Sequence, residues 1–455
     1  MCMRVAELRQ KHPLFAFRDF TWEETSHKLR IEYLYHIDPH FLFTHQLTLD
    51  FPEKIQHLPP SFIDTLVFHL GLAELFSYWK LTCSPRIKIE PLQLTSHQIA
   101  WWDKLLMYGM GEYFYQNQID FAPIDFVEWE TTSTKSFLPF SFAARDAYVL
   151  MWGGGKDSAV ATELLKSGNK KITPLWVNPL TNKNAFLKAA RLSALIEVER
   201  TFDPLLGQLN TQGYLNGHVP FSASLAFIAL LSAALLKQKH IVVANEKSAD
   251  EANTWFRDRE INHQYSKTYQ FEKDFNSYVY EFITPEIDYF SILRPLYELQ
   301  IGQLFSQYPD YFSVFNSCNK FRQLGHWCGV CPKCLSVFLS LAPFIGISKM
   351  NQIMGSNLLE NTQLLPLYKG LLGLTQPKPF ECVATYEETK VASYLLTKNF
   401  TKDKQLPQLL KFFSDIMMSK ENDWEKRTHK LLTQWTDEHR IPNELVTFRE
   451  VFNSP

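Results

Sequence analysis

Three consecutive glycines between an apolar run and an amphipathic run constrain this chain more than any other feature. They lie in MWGGGKDSAVATELLKSG, residues 151–168. The run 148–152 is apolar, as expected of a buried strand, and Val160, Leu164 and Leu165 share one helical face. Glycines let a backbone approach a phosphate, and the N–H groups at a helix N-terminus point towards it. The segment therefore predicts an anion site between a strand and a helix, with an ordinary glycine turn as the alternative interpretation.

The residues around the glycines exclude two common phosphate loops. A Walker loop needs glycine at position 150 and Ser or Thr at position 157, where Leu150 and Asp157 stand. A dinucleotide-binding loop needs a third glycine, which is missing at the required spacing. The stretch instead resembles the SGGxDS loop of the PP-loop ATP pyrophosphatases, with Gly153 in place of that loop's first serine. The matching residues are Gly154, Gly155, Asp157 and Ser158.

This resemblance implies that the chain binds ATP together with magnesium. Lys156 would neutralise phosphate charge, and Asp157 would help to position Mg²⁺. The ATP-binding residues that the resemblance implies are Gly153, Gly154, Gly155, Lys156, Asp157 and Ser158.

Composition narrows the functional class. A chain of 455 residues can form two or three domains, and a net charge of −2 argues against a nucleic-acid partner. The sequence has neither an apolar run of membrane-spanning length nor an N-terminal signal-peptide core. Seven cysteines, four of them clustered, favour a reducing compartment over a disulfide framework. These features predict a cytoplasmic protein that acts on a small molecule.

The order of the predicted elements indicates an α/β fold. From about residue 147, strands alternate with helices, which predicts a doubly wound parallel sheet, here of the PP-loop (adenine nucleotide alpha hydrolase-like) type. Ligands of such sheets bind at the carboxyl ends of the strands. Earlier, clean alternation over residues 28–51 predicts a β-hairpin. We predict an N-terminal α+β domain over residues 1–140, a PP-loop domain with the cysteine cluster over 141–345, and a helical region over 346–455.

Four cysteines lie in CNKFRQLGHWCGVCPKC, residues 318–334. Thiolates held on short turns suit tetrahedral zinc, and four of them would close the site as a structural one. His326 is an alternative to Cys318 as the fourth ligand, and reduced cysteines without a metal are the alternative to a zinc site. The predicted ligands are Cys318, Cys328, Cys331 and Cys334.

The remaining cysteines are separated in sequence from this cluster and from one another. Cys2, Cys83 and Cys382 are therefore interpreted as isolated thiols that are packed or exposed.

The glycine loop and the cysteine cluster together resemble 7-cyano-7-deazaguanine synthase, which adenylates a carboxylic acid and has a similar zinc site. Over nearly the whole chain, however, the sequence is more similar to the MurL family of UDP-N-acetylmuramoyl-L-alanyl-L-glutamate epimerases in peptidoglycan synthesis. The segments that carry this resemblance are LVFHLGLAELFSYWK, the Trp101-Trp102 region through GMGEYFYQN, MWGGGKDS, ANEKSADEANT, INHQYSKTYQFE and the cysteine cluster. The resemblance implies an isomerase that uses ATP and magnesium to invert a terminal L-glutamate.

Such an inversion requires removal of the proton from the α-carbon of glutamate. That proton is very weakly acidic beside a free carboxylate, so conversion to an acyl-adenylate would make deprotonation feasible. Neutral His263 or Lys267 would be able to accept the proton. The predicted catalytic residues are Asp157, Glu246, His263 and Lys267.

Two other functions fit the same motifs. The first is another PP-loop ligase or amidating enzyme, either deazapurine synthase-like or tRNA-modifying, although the net charge disfavours tRNA. The second is a non-catalytic nucleotide and zinc scaffold, which the intact Asp157-Ser158 pair disfavours.

Overall fold

The computed structural model describes residues 2–123, 125–321, 325–400, 405–418 and 420–449. The strands are β1 (Leu14–Glu24), β2 (Lys28–Ile37), β3 (Phe41–Asp50), β4 (Arg86–Ile89), β5 (Glu128–Thr131), β6 (Arg145–Trp152), β7 (Ile172–Val177), β8 (Ile196–Thr201), β9 (Gln238–Val243), β10 (Thr254–Phe256), β11 (Arg259–Ile261) and β12 (Asp288–Ser291). The first helices are α1 (Cys2–Lys11), α2 (Pro60–Glu74), α3 (Phe76–Trp79), α4 (Ser96–Gly109), α5 (Gly111–Gln116), α6 (Lys156–Ser167), α7 (Lys183–Ala190), α8 (Pro204–Thr211) and α9 (Phe221–Leu235). The later helices are α10 (Tyr269–Phe282), α11 (Glu298–Phe305), α12 (Pro332–Ile345), α13 (Ile347–Met354), α14 (Leu365–Leu371), α15 (Tyr386–Lys398), α16 (Gln408–Phe413) and α17 (Trp424–Thr433).

Ten of the described strands form one mostly parallel sheet, which confirms the predicted α/β class. The strand order is β12-β9-β6-β7-β8-β3-β2-β1-β4-β5. The five strands from β12 to β8 pair in parallel, as do β1, β4 and β5, whereas the strands from β8 to β1 pair antiparallel. In the first group the chain moves outwards from β6 through β7 to β8, then returns to β9 and β12 on the other side. The order thus reverses between β6 and β9, where open α/β sheets bind their ligands.

Both faces of this sheet are covered, as the alternation along β6 shows. Val149 and Met151 join one apolar core, to which α2, α4 and α9 contribute. Tyr148, Leu150 and Trp152 join a second core on the other face, together with α6, α11 and α12. A parallel strand buried on both faces must be apolar throughout, which explains the continuous apolar run before the glycines.

The predicted hairpin is confirmed as β2 and β3, which pair in an unbroken antiparallel register. Strand β3 also pairs with β8, so the sheet runs through the predicted domain boundary at residue 140. Arg200 of β8 donates from Nε to Oε2 of the fully buried Glu74 in α2, at 2.8 Å. Burial opposes that negative charge, but Arg200 and His45 outweigh it and lower the pKa of Glu74 to about 2. The predicted domain limits themselves stay a prediction.

The C-terminal part is helical, as the sequence predicts. Helices α12 to α17 pack largely into the second core, against α6 and α11. Among the described helices, none has both the length and the apolar character needed to cross a bilayer.

Candidate functional site

The candidate site lies where β6 and β9 end side by side. The glycines 153–155 follow β6 directly, and the polar residues 245–248 follow β9. Because the two strands pair in parallel, their carboxyl ends open at the same edge of the sheet. This is the point of order reversal, and it brings the predicted loop and the predicted residue Glu246 together.

The geometry of the glycine loop requires small residues. Gly154 has φ +76°, and a Cβ there would lie 2.6 Å from the Trp176 ring, so only glycine fits without displacement. Gly155 occupies the N-cap position of α6 in extended conformation, and no side chain of the described residues caps that end. Ser158 turns back and accepts a hydrogen bond from the Gly153 N–H at 2.9 Å. The loop therefore presents backbone groups at the start of a twelve-residue helix.

Lys156 points inwards from the first turn of α6. Its Nζ lies 2.7 Å from Oε2 of Glu298, the first residue of α11, and also contacts Asp157. Burial opposes the ammonium charge, but Asp157, Glu298 and Glu246 outweigh it and raise the pKa of Lys156 above its ordinary value. Lys156 is therefore a fixed internal cation that joins α6 to α11. Glu298 was not among the residues predicted from the sequence.

Three carboxylates surround this cation. Burial and the charges of Asp157 and Glu298 raise the pKa of Glu246 to about 7. Glu298 keeps one buried oxygen, Oε1, without a hydrogen-bond partner among the described residues. Carboxylate oxygens are the ligands that Mg²⁺ prefers, and a bound cation would relieve the repulsion within this group. Among the described residues, however, the ligand atoms of Asp157, Glu246 and Glu298 do not all lie within 4.8 Å of one another, so the three carboxylates do not form a preassembled metal site.

A buried arginine fixes the segments that carry two predicted catalytic residues. Arg294 is fully buried and donates from Nε to Oε2 of Glu272 at 3.1 Å. Its Nη1 donates to the carbonyl of Glu246 at 3.0 Å, and its Nη2 donates to the carbonyl of Lys267. These bonds hold residues 246 and 267 at a set separation, although they are distant along the chain.

The side chain of Lys267 meets a cysteine. Its Nζ lies 3.1 Å from Sγ of Cys382, in the loop before α15. Cys382 is a free thiol apart from the cysteine cluster, as predicted, but the fold also places a cation beside it, which the sequence did not indicate. Burial opposes the thiolate, but the charges of Lys267 and His263 outweigh it and lower the pKa of Cys382 to about 5.

The predicted residue His263 lies on the other side of the same cysteine. Its Nδ1 contacts Oε2 of Glu112 in α5, and its ring centroid lies 4.2 Å from that of His218. Burial opposes the imidazolium, but contacts with Cys382 and Glu112 raise the pKa of His263 to about 9. Burial and the neighbouring positive charge lower the pKa of His218 to about 2. We call these five residues the thiol pocket: Glu112, His218, His263, Lys267 and Cys382.

The four clustered cysteines come together as the sequence predicts. Their sulfurs all lie within 4.8 Å of one another, and Cys334 Sγ is 3.4 Å from Cys331 Sγ and 3.7 Å from Cys328 Sγ. In a tetrahedral zinc site with Zn–S bonds of about 2.3 Å, sulfurs are separated by roughly 3.8 Å. Cys318 belongs to this group, whereas His326 is exposed and outside it.

Lys333 connects the cysteine cluster to the candidate site. In the sequence it lies between Cys331 and Cys334. The backbone N–H of Lys333 donates to Oε2 of Glu381 at 2.8 Å, and Glu381 directly precedes Cys382. The ammonium of Lys333 favours the charged forms of Asp157, Glu246 and Cys382. One turn of α12 thus connects the cysteine cluster, the carboxylates and the thiol pocket.

Comparison with known proteins gives a consistent result over most of the chain. The family model of the MurL N-terminal domain matches residues 6–292, and that of the MurL C-terminal domain matches residues 314–428. A UDP-N-acetyl-alpha-D-muramoyl-L-alanyl-L-glutamate epimerase of Xanthomonas oryzae pv. oryzae is 32% identical over 81% of this chain and 82% of its own length. Proteins with the same name from a Micromonospora species and from Salinispora tropica are 35% and 36% identical, each over 78% of this chain and over 80% and 78% of their own lengths.

No solved structure is significantly similar to this chain. The two family models nevertheless cover both the sheet with its glycine loop and the helical part with the cysteine cluster. The relatives likewise match about four fifths of the chain. The chain therefore belongs to the MurL family.

Proposed function

We propose that this chain inverts the terminal L-glutamate of UDP-N-acetylmuramoyl-L-alanyl-L-glutamate to D-glutamate, a step in peptidoglycan synthesis. The observation that carries the proposal is the similarity to three epimerases of that name, which extends over about four fifths of each protein. The site adds the chemistry that such an isomerase needs: an anion-binding helix start, a carboxylate group for a cation, and titratable side chains beside them.

The reaction needs activation before the proton can leave. Deprotonation next to a free carboxylate would place two negative charges on one small group. Conversion of that carboxylate to an acyl-adenylate removes the first charge and leaves a carbonyl that accepts the electron pair. ATP supplies the adenylate and releases pyrophosphate, and hydrolysis afterwards returns AMP and the D-glutamyl product.

The loop and its neighbours support ATP as the activating substrate. Residues 153–158 would hold the phosphates through backbone N–H groups at the start of α6, as in other helix N-terminal anion sites. Asp157, which is partly exposed at the start of α6, would help to position the magnesium ion, which would neutralise phosphate charge. Strand order and loop position also support a PP-loop fold, because the glycine loop lies at the reversal point between β6 and β9, where open α/β sheets bind their ligands.

The cysteine cluster supports a structural zinc ion. Its four sulfurs have the separations of a closed tetrahedral site, and three of them are buried. The ion would hold the first turn of α12, which carries Lys333 and contacts Glu381. Its contribution would therefore be to position the site and not to take part in the reaction.

A labelling experiment tests the proposed reaction directly. In heavy water with ATP and magnesium, the D-glutamyl product should carry deuterium at the α-carbon, and AMP and pyrophosphate should form alongside it. Without ATP, recovered L-substrate should stay unlabelled, because the free carboxylate cannot support the carbanion. Inversion without ATP would refute activation by adenylation, whereas pyrophosphate release that ends in an amide would favour the ligase alternative.

Asp157→Ala is the matching variant for the ATP site. Loss of this carboxylate should lower pyrophosphate release on the order of 10³-fold, because the variant lacks the group that would position magnesium at the phosphates. The fold should persist, since a quarter of the Asp157 side chain is exposed and Glu298 still pairs with Lys156. Glu163→Ala, a change on the same helix at a residue that contacts Lys166, should keep pyrophosphate release near the parental value. Parental activity of Asp157→Ala would mean that the glycine turn has only a structural role.

A further inference from the structure

The thiol pocket is assembled from four separate parts of the chain. Glu112 belongs to α5, His218 precedes α9, and His263 and Lys267 flank a short helical turn before α10. Cys382 arrives from the loop before α15. The Cys382 sulfur has the Lys267 ammonium at 3.1 Å and His263 as a second neighbour, which Glu112 binds from the far side. A thiol beside an ammonium and an imidazole that a carboxylate orients is typical of a reactive cysteine.

The position of the pocket relative to the carboxylates is equally specific. Lys267 pairs with Cys382, and its charge also acts on Glu246 and Asp157. Arg294 donates hydrogen bonds to the carbonyls of Glu246 and Lys267 and so fixes these two residues relative to each other. Cys382, Lys267 and His263 are each partly exposed. The thiol therefore lies beside the place where the acyl group would be activated.

We propose that Cys382 is the base that removes the α-proton of the activated L-glutamate. This role rests on the proposed function. In the step, the Cα–H bond breaks, an S–H bond forms, and the electron pair moves into the activated carbonyl. The Lys267 ammonium faces the developing negative charge. A water molecule then protonates the opposite face of Cα, and the hydroxide that remains takes the thiol proton, which restores the thiolate.

Protonation states favour Cys382 over its neighbours for this role. A base must be unprotonated at working pH, and the pKa of Cys382 lies at about 5. The pKa of His263 is raised to about 9 and that of Lys267 also lies above its ordinary value, so both are cations near pH 7. A cation cannot accept a proton. His263 and Lys267 therefore stabilise the thiolate and the enolate and act as positioning residues.

The test separates proton removal from ATP use in the full-length protein. The parent and Cys382→Ser are given the UDP-linked dipeptide, ATP and magnesium in heavy water. Exchange between labelled pyrophosphate and ATP reports adenylation, and deuterium at Cα reports proton removal. For Cys382→Ser we expect deuterium entry to fall on the order of 10²- to 10⁴-fold, with pyrophosphate exchange within about threefold of the parent. Cys2→Ser serves as the matched thiol control and should retain both.

The outcomes distinguish the base role of Cys382 from the proposed function. Parental deuterium entry in Cys382→Ser would overturn the base role while the proposed function stands, as would loss of both signals together. A hydroxylamine-sensitive acyl group on Cys382 of the parent would make it a nucleophile and also overturn the base role. Substrate-dependent pyrophosphate exchange missing from the parent itself would overturn the proposed function and the base role with it.

A second measurement tests the reactivity of the thiol. Iodoacetamide at pH 6 should modify Cys382 in the folded parent, and ATP with the dipeptide should protect it. Modified protein should lose deuterium entry and retain zinc. If Cys382 proves inert to iodoacetamide, or if a metal ion beyond the cysteine cluster is bound and is lost on His218→Ala, the base role is overturned.

Discussion

The molecule holds thiols in two environments that differ in what faces the sulfur. In the cysteine cluster each sulfur faces other sulfurs, at 3.4 Å and 3.7 Å in the closest described pairs. In the thiol pocket the Cys382 sulfur faces an ammonium at 3.1 Å and an imidazole bound to a carboxylate. Thiolates repel one another, so four ionised thiols in the first group would call for an added cation such as the proposed zinc, whereas the chain itself supplies cations beside the second. The neighbours of a cysteine, more than its burial, thus decide between a structural and a chemical role.

The cysteines of the two environments also differ in their exposure to solvent. Cys318, Cys331 and Cys334 are buried in the second core, where a metal would be enclosed. Cys382 is half-buried and lies beside the carboxylates of the candidate ATP site. A thiolate without a metal is useful only where a substrate can reach it, and the two environments follow that division.

Among the variants of the two thiol environments, Cys331→Ser in the cysteine cluster should produce the largest effect. Removal of one ligand from a closed four-sulfur site should lower bound zinc from about one ion per chain to near zero. Soluble yield should fall as well, because α12 loses the support of its first turn and the three remaining sulfurs, two of them buried, would lose their cation. Elemental analysis of protein purified without chelator, with thermal unfolding alongside, measures both changes. A folded, zinc-free variant with parental Cys382 reactivity would show that the two environments are independent.

Lys267→Met should have a smaller effect, confined to the thiol pocket. The pKa of Cys382 lies at about 5, so the parent thiol is mostly ionised at pH 6 and should react with iodoacetamide at a nearly constant rate from pH 6 to 8. Without the ammonium the pKa rises, so the thiolate fraction and the rate at pH 6 should fall by about tenfold or more and recover near pH 9. Lys273→Met, which removes an exposed lysine of α10, should leave the profile unchanged. An unchanged profile in Lys267→Met would refute compensation by the chain.

His326→Ala should have the smallest effect. His326 is exposed and lies outside the sulfur group, so zinc content should stay at the parental value and stability should change by less than about 0.5 kcal/mol. Loss of zinc in this variant would make His326 a ligand and would contradict the four-sulfur arrangement.

The two environments also differ in how far the sequence predicts them. Short spacing identifies the cysteine cluster, because residues three positions apart on a tight turn must lie close in space. The glycine loop is likewise identified from one short segment. The hairpin is identified from its alternation, which shows which side chains are buried. The partners Lys156 and Glu298, or Cys382 and Lys267, are separated by more than a hundred residues, and only the packing of whole helices brings them together. Likewise, alternation along β3 shows which face is buried but not that β8 is its neighbour.

The pairing of β3 with β8 also has a consequence for biosynthesis. The hairpin leaves the ribosome long before β8 has been made, and until then the hydrogen-bonding edge of β3 stays open. Five residue pairs, from Gln46 with Thr201 to Asp50 with Glu197, later cover that edge. An exposed strand edge pairs readily with other chains, so a translation product truncated before residue 196 is expected to aggregate and not to persist as a free N-terminal fragment. The length of chain that must be synthesised before the edge of β3 is covered is therefore set by this one antiparallel contact.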